Sequence, residues 1–223
     1  IANNVHTLLD ESAPVFEPTA ADTAIFYSIS NAHEGLSGIS FGNFLIKRVV
    51  DELTTEFSNL KTFATLSPIP GFRDWLDSKL QESDADAELL TAAERKALVT
   101  AANAGKEPVS LQTLLATSDW HGNTELAKAL KPPLLRLCSR YLAKEKRPGG
   151  TALDRVAHFH LSNGARIERL NWLADTSLKG MSQAVGMMVN YLYKLSDIET
   201  NHEAYRGEGK VMTSSTIRAL LKS

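Results

Sequence analysis

The sequence predicts an α/β fold: a mixed sheet flanked by helices and interrupted by a helical insertion. Three observations carry that expectation. Residues 24–67 run strand, loop, helix, strand; residues 72 to about 147 hold many leucines but almost no strand signal; and β character returns after Ala152.

Residues 1–23 are mixed, and Pro14 and Pro18 break any long helix there. Ala24-Ile25-Phe26-Tyr27-Ser28-Ile29 is a β-branched and aromatic run that reads as a buried strand. A polar, glycine-bearing loop follows from Asn31 to Gly42. From Asn43 the period becomes helical, with Ile46, Val49 or Val50, Leu53 and Phe57 on one face. Lys61–Leu66 reads as a second strand, ending at Ser67-Pro68-Ile69-Pro70-Gly71, where prolines stop both ladder and helix. This is a βαβ-like unit. Leucines then recur among alanines and charges from Leu76 to Leu137, predicting short helices interrupted near Gly105–Pro108 and at Pro132-Pro133. Arg147-Pro148-Gly149-Gly150 closes the insertion. Ala157–Leu161 and Ala165–Leu170 read as two strands of a hairpin turned by Asn163-Gly164. Met187–Tyr193 is the last strand, before a C-terminal helix ending at Leu220-Leu221. The expected layout is a sheet core from 24–71 and 151–207 with a helical insertion at 72–150.

Composition narrows the function classes. Hydrophobic residues at 43% and charged residues at 22% are an ordinary globular balance, and nothing is long and apolar enough to cross a bilayer. A net charge of −2 gives no electrostatic reason to expect nucleic acid, though a compact basic site for a phosphorylated ligand stays open. The single cysteine, Cys138, rules out an internal disulfide framework, and its apolar helical surroundings predict a buried thiol. The chain begins at Ile1 with no signal pattern, so it is expected to be a piece of something longer, with cytoplasm as the default location.

Three places could carry chemistry. Ser37-Gly38-Ile39-Ser40-Phe41-Gly42-Asn43 runs straight into a helix; glycines let backbone approach a ligand, and a helix N-terminus offers free amides to an anion such as a diphosphate. The spacing is neither a Walker loop nor a dinucleotide fingerprint, so an ordinary glycine loop fits it too. Ser67, between a strand and two prolines, sits in a stiff segment that suits a hydroxyl aimed at a substrate, but also a plain turn serine. His160 alternates with His158 along the expected strand, as metal ligands do, but no third ligand stands at a suitable spacing. The residues alone name no reaction.

Five strings together resemble the malonyl-CoA decarboxylase family: Ala24-Ile25-Phe26-Tyr27-Ser28-Ile29-Ser30; Gly42-Asn43-Phe44-Leu45-Ile46-Lys47-Arg48-Val49-Val50; Leu66-Ser67-Pro68-Ile69-Pro70-Gly71-Phe72; Phe159-His160-Leu161-Ser162-Asn163-Gly164-Ala165; and Asn171-Trp172-Leu173-Ala174-Asp175. They occur in the family's order and cover residues 24 to about 207. The resemblance implies an N-acetyltransferase-like catalytic domain, preceded in the family by a helical domain that is not among these 223 residues. By matching position it implies Ser67 and His160 as the catalytic pair, Ser37–Asn43 as malonyl-CoA contacts, and Ser28 and Tyr193 beside the active site. Some relatives carry an acid where Ser40 stands, and whatever that acid does is not carried over. The implied reaction takes malonyl-CoA to acetyl-CoA and carbon dioxide without a metal or organic cofactor, in a homo-oligomer that touches neither nucleic acid nor membrane. Two other readings stay open: an acyl-CoA N-acyltransferase, and a non-catalytic acyl-CoA-binding subunit.

Overall fold

A computed structural model describes residues 1–14, 17–28, 42–82, 85–102, 109–117 and 119–222, with backbone only at 42–45 and 85. A short helix α1 (Val5–Leu8) precedes strand β1 (Thr23–Phe26), helix α2 (Gly42–Glu56) and strand β2 (Thr62–Thr65). Strands β1 and β2 pair in parallel, Ala24 opposite Phe63, so the βαβ unit expected from the sequence is present. A two-residue strand β3 (Ser67–Pro68) follows at once. Ser67 is thus a strand residue, not a loop one.

Helices α3 (Phe72–Leu80), α4 (Ala85–Leu89), α5 (Ala92–Ala101), α6 (Leu111–Ala116) and α7 (Thr124–Lys144) make up the leucine-rich segment. Helix α7 runs unbroken through Pro132 and Pro133, contrary to the expected interruption. Each proline removes one backbone donor, but Leu130, Pro133, Leu134, Leu137 and Cys138 are all buried on this helix. Burying such side chains is worth about 1.5–3 kcal/mol apiece, comparable with the cost of about 3 kcal/mol for a mid-helix proline. Cys138 is buried as expected, and burial pushes its thiol up.

The main departure comes next. Residues 157–161 are not a strand but the body of helix α8 (Arg155–Ser162). Asp154 caps it, its Oδ1 accepting from Val156 and Ala157 N–H at 2.9 Å. Gly164, at φ +81, terminates it, the Gly164 and Ala165 amides turning back to the Leu161 and His160 carbonyls. Asn163-Gly164 is therefore a helix stop and not a hairpin turn. Strand β4 (Arg166–Asn171), helix α9 (Leu178–Ala184), strand β5 (Met188–Tyr193), helix α10 (Ile198–Glu208) and helix α11 (Ser215–Leu220) complete the chain.

Among the described residues, strand β5 lies at the centre of a five-stranded sheet, antiparallel to β2 and β3 on one side and to β4 on the other. Side chains alternate across it. Leu66 and Met188 join a small cluster with Ala174, whereas Phe63, Val189, Tyr191 and Tyr193 face the main core with Ala157 and Leu161 of α8. No helix among the described residues is long and apolar enough to cross a membrane.

Candidate active site

The sheet face that meets α8 brings the predicted pair together. Ser67 Oγ and His160 Nε2 lie 3.2 Å apart, although 93 residues separate them in sequence. On the far side of the ring, His160 Nδ1 lies 2.7 Å from Tyr193 Oη. Ser67 O–H donates to Thr65 Oγ1 at 2.8 Å. Tyr191 stacks on the imidazole with centroids 4.5 Å apart and planes 23° from parallel, and Phe159 meets its edge at 5.1 Å. A line of four side chains, Tyr193, His160, Ser67 and Thr65, is thus assembled from β5, α8, β3 and β2.

Ser67 and His160 are 5% and 3% exposed, which places them at the inner end of a cavity. The cavity has a volume of about 560 Å³ and is lined by Phe26, Tyr27, Ser28, Ser67, Pro68, Arg155, Val156, Phe159, His160 and Lys179. Predicted Ser28 therefore lies on the same wall as the pair. Ser37, Gly38, Ile39, Ser40 and Phe41 lie outside the described residues, while Gly42 and Asn43 open α2. A larger groove of about 760 Å³, lined from α5 and α7, shares no residue with this cavity and contains neither Ser nor His.

Burial sets the protonation of the site. It drives the His160 imidazole down to about 3, so the ring is neutral at physiological pH. Burial likewise pushes the Tyr193 and Tyr191 hydroxyls well up, so both stay protonated. Asp154, below the ring's helix, is raised by burial, against the pull of the Ala157, Gly71 and Val156 amides and the Tyr141 hydroxyl. Its carboxylate thus ties the cap of the His160 helix to the amide of Gly71, four residues beyond Ser67.

The helix also separates the two histidines. Residues two apart on a helix point about 200° apart, and His158 turns to Tyr205 Oη at 2.9 Å while His160 turns to Ser67. They share no ligand-binding face, and among the described residues no three His, Cys, Asp or Glu side chains cluster as metal ligands do. Sequence reasoning missed Thr65, Tyr191, Asp154 and the two cations on the cavity wall, Arg155 and Lys179. Two of these had a readable signal: Thr65 stands two before Ser67, and Tyr191 two before Tyr193, the spacing that puts strand residues on one face.

This chain matches the family model described as Malonyl-CoA decarboxylase C-terminal domain over residues 1–223. The chain belongs to the malonyl-CoA decarboxylase family. It is 43% identical over 228 residues to the mitochondrial malonyl-CoA decarboxylase of Rattus norvegicus, covering 99% of this chain and 46% of the relative. With the mitochondrial protein of Anser anser anser it shares 43% identity over 210 residues, 93% of this chain and 41% of that one. The crystal structure of the Rhodopseudomonas palustris malonyl-CoA decarboxylase superposes with a TM-score of 0.86 at 45% identity, over 99% of this chain and 47% of that one. That from Agrobacterium vitis gives 0.82 at 44% identity, over 99% and 50%. The chain thus spans about half the length of the family members it matches.

Proposed function

We propose that this chain holds the catalytic centre for decarboxylation of malonyl-CoA to acetyl-CoA and carbon dioxide. The observation that carries the reading is the buried contact of neutral His160 with Ser67 at the inner end of a cavity. The names of the family members supply the substrate; the geometry supplies a chemistry suited to it.

Loss of carbon dioxide breaks the bond between the malonyl carboxylate and Cα and leaves the electron pair on Cα, delocalised onto the thioester oxygen as an enolate. A donor placed at that oxygen is worth about 3–4 kcal/mol. A positioned proton donor adds about 10²- to 10⁴-fold. In this reading the Nε2–H of His160 goes to Cα, while the Tyr193 O–H stays hydrogen-bonded to Nδ1 and steadies the imidazolate that forms. A carbanion beside a thioester is a far stronger base than imidazolate, so the transfer runs downhill. Nε2 then recovers a proton from water through the cavity, which restores the ring and takes up one proton per turnover. Ser67 holds and tunes the imidazole, and the apolar walls of Phe26, Pro68, Val156 and Phe159 strip water from the carboxylate. The thioester is the electron sink, so the reading needs no metal or organic cofactor. Ser37–Asn43 would grip the CoA diphosphate, because the first-turn amides of α2 have no intrahelical partners.

The layout of an N-acetyltransferase-like sheet core with a helical insertion at 72–150 belongs to the same proposal. So do a homo-oligomer assembled through the rest of the protein and a cytoplasmic location. The test is release of acetyl-CoA and carbon dioxide from malonyl-CoA by the protein that carries this chain, compared with His160→Ala and Ser67→Ala. Turnover that drops by about a hundredfold or more in both supports the reaction and the pair. Free CoA produced from acetyl-CoA and an amine, with malonyl-CoA untouched, would replace it with an N-acyltransferase.

A further inference from the structure

Thr65 is wholly buried and lies on the same sheet face as Ser67. The register that sets Ala64 opposite Leu192 and Ser67 opposite Val189 leaves Thr65 opposite Tyr191 and Leu66 opposite Asn190. At those positions the pairing of β2 and β3 with β5 is interrupted, and bonds through side chains close the sheet. Tyr191 N–H donates to Thr65 Oγ1 at 3.1 Å, and Asn190 Nδ2 donates to the Thr65 carbonyl at 2.6 Å. The Thr65 hydroxyl is thereby fixed on one side by a backbone amide that cannot rotate away. On the other side it accepts the O–H of Ser67.

A serine hydroxyl has one hydrogen, and a neutral imidazole has one N–H. With the Ser67 hydrogen given to Thr65, the 3.2 Å contact requires Nε2–H to donate to Ser67 Oγ. Nδ1 is then bare and accepts from Tyr193 O–H. We infer that Thr65 is a positioning residue: it fixes the direction of the Ser67 hydroxyl and, through it, holds His160 as the Nε2–H tautomer. The mobile proton is kept at the cavity end of the ring, away from Tyr193. The same arrangement keeps Ser67 from acting as a nucleophile, because Nε2 carries a hydrogen and cannot accept the serine proton. The inference rests on the decarboxylase reading only for its effect on turnover.

The experiment pairs kinetics with ¹⁵N NMR of the imidazole, which distinguishes Nε2–H from Nδ1–H, in the parent, Thr65→Val and Thr65→Ser. The parent should show Nε2–H. Thr65→Val, nearly the same shape without the oxygen, frees the Ser67 hydrogen to turn toward Nε2. It should therefore bring in the Nδ1–H form and lower kcat about tenfold or more with little change in KM. Thr65→Ser, which keeps the oxygen, should restore both. Nδ1–H in the parent overturns the inference even if Thr65→Val fails to fold, and so does a folded Thr65→Val that keeps the parental tautomer and kcat. A tautomer switch in a protein that leaves malonyl-CoA untouched supports Thr65's control of His160 and sinks the decarboxylase reading instead.

Discussion

Acid should weaken this fold through His160. In the unfolded chain its imidazole titrates near 6.5, and in the folded one burial holds it at about 3. The folded value is the lower, so between the two the unfolded chain binds the extra proton. His160's contribution is therefore complete above about pH 6.5 and is lost as pH falls toward 3. At 1.36 kcal/mol per unit, the whole window amounts to about 5 kcal/mol, and the step from pH 7 to pH 5 to about 2 kcal/mol. Urea unfolding of the parent and of His160→Gln at both pH values isolates this quantity. Glutamine does not titrate, and every carboxylate, together with His158, is common to the two proteins. The stability gap between parent and variant should shrink by about 2 kcal/mol at pH 5. A gap that is the same at pH 7 and pH 5 would refute the neutral, buried imidazole and with it the assignment of protons around the ring.

Other substitutions test the parts that hold this ring. Tyr193→Phe leaves the buried Nδ1 of His160 without its donor, which should cost about 1–3 kcal/mol in thermal unfolding and lower turnover about tenfold. Asp154→Ala strips the cap from α8 and should destabilise by about 1–2 kcal/mol; Asp154→Asn, which can still accept from the Val156 and Ala157 amides, should recover most of that by melting temperature. Gly164→Ala should lose about 2 kcal/mol or more in the same assay. Its φ of +81 disfavours a side chain, and the added Cβ would run into the Ile198 carbonyl.

Much of this molecule is legible in its sequence because strands and amphipathic helices repeat on their own periods. The β-branched run at residues 24–29, the helical face of Ile46, Val50 and Leu53, and the strand ending in Tyr193 fall close to where they are found. Helix α8 shows why the rest is harder. Asn163-Gly164 between apolar runs fits a hairpin, and the same dipeptide fits a helix stop with glycine left-handed just past the end. The discriminating signals were Asp154 one residue ahead of the helix and the burial of Ala157, His160 and Leu161, spaced three and four apart. The pairing of Ser67 with His160 came from family resemblance and not from spacing, since a contact across 93 residues leaves no local trace. Thr65 and Tyr191 stand in plain view at period two, but their roles depend on an interruption in pairing that only the assembled sheet displays.

The placement of β5 has a consequence for how this chain can change length. One strand carries Tyr193 to the imidazole and Val189 opposite Ser67, so the two sides of the site share a single ruler. Inserting or deleting one residue between positions 189 and 193 would turn Tyr193 to the opposite face and separate the ring from its donor. The long stretch between Ser67 and His160 is tied to the site near Gly71, at Tyr141 of α7 and at Asp154, and the loops between its helices are under no such constraint. Insertions and deletions should therefore accumulate in the loops between α3 and α7, while the strand that sets Tyr193 against the imidazole and Val189 opposite Ser67 keeps its length to the residue.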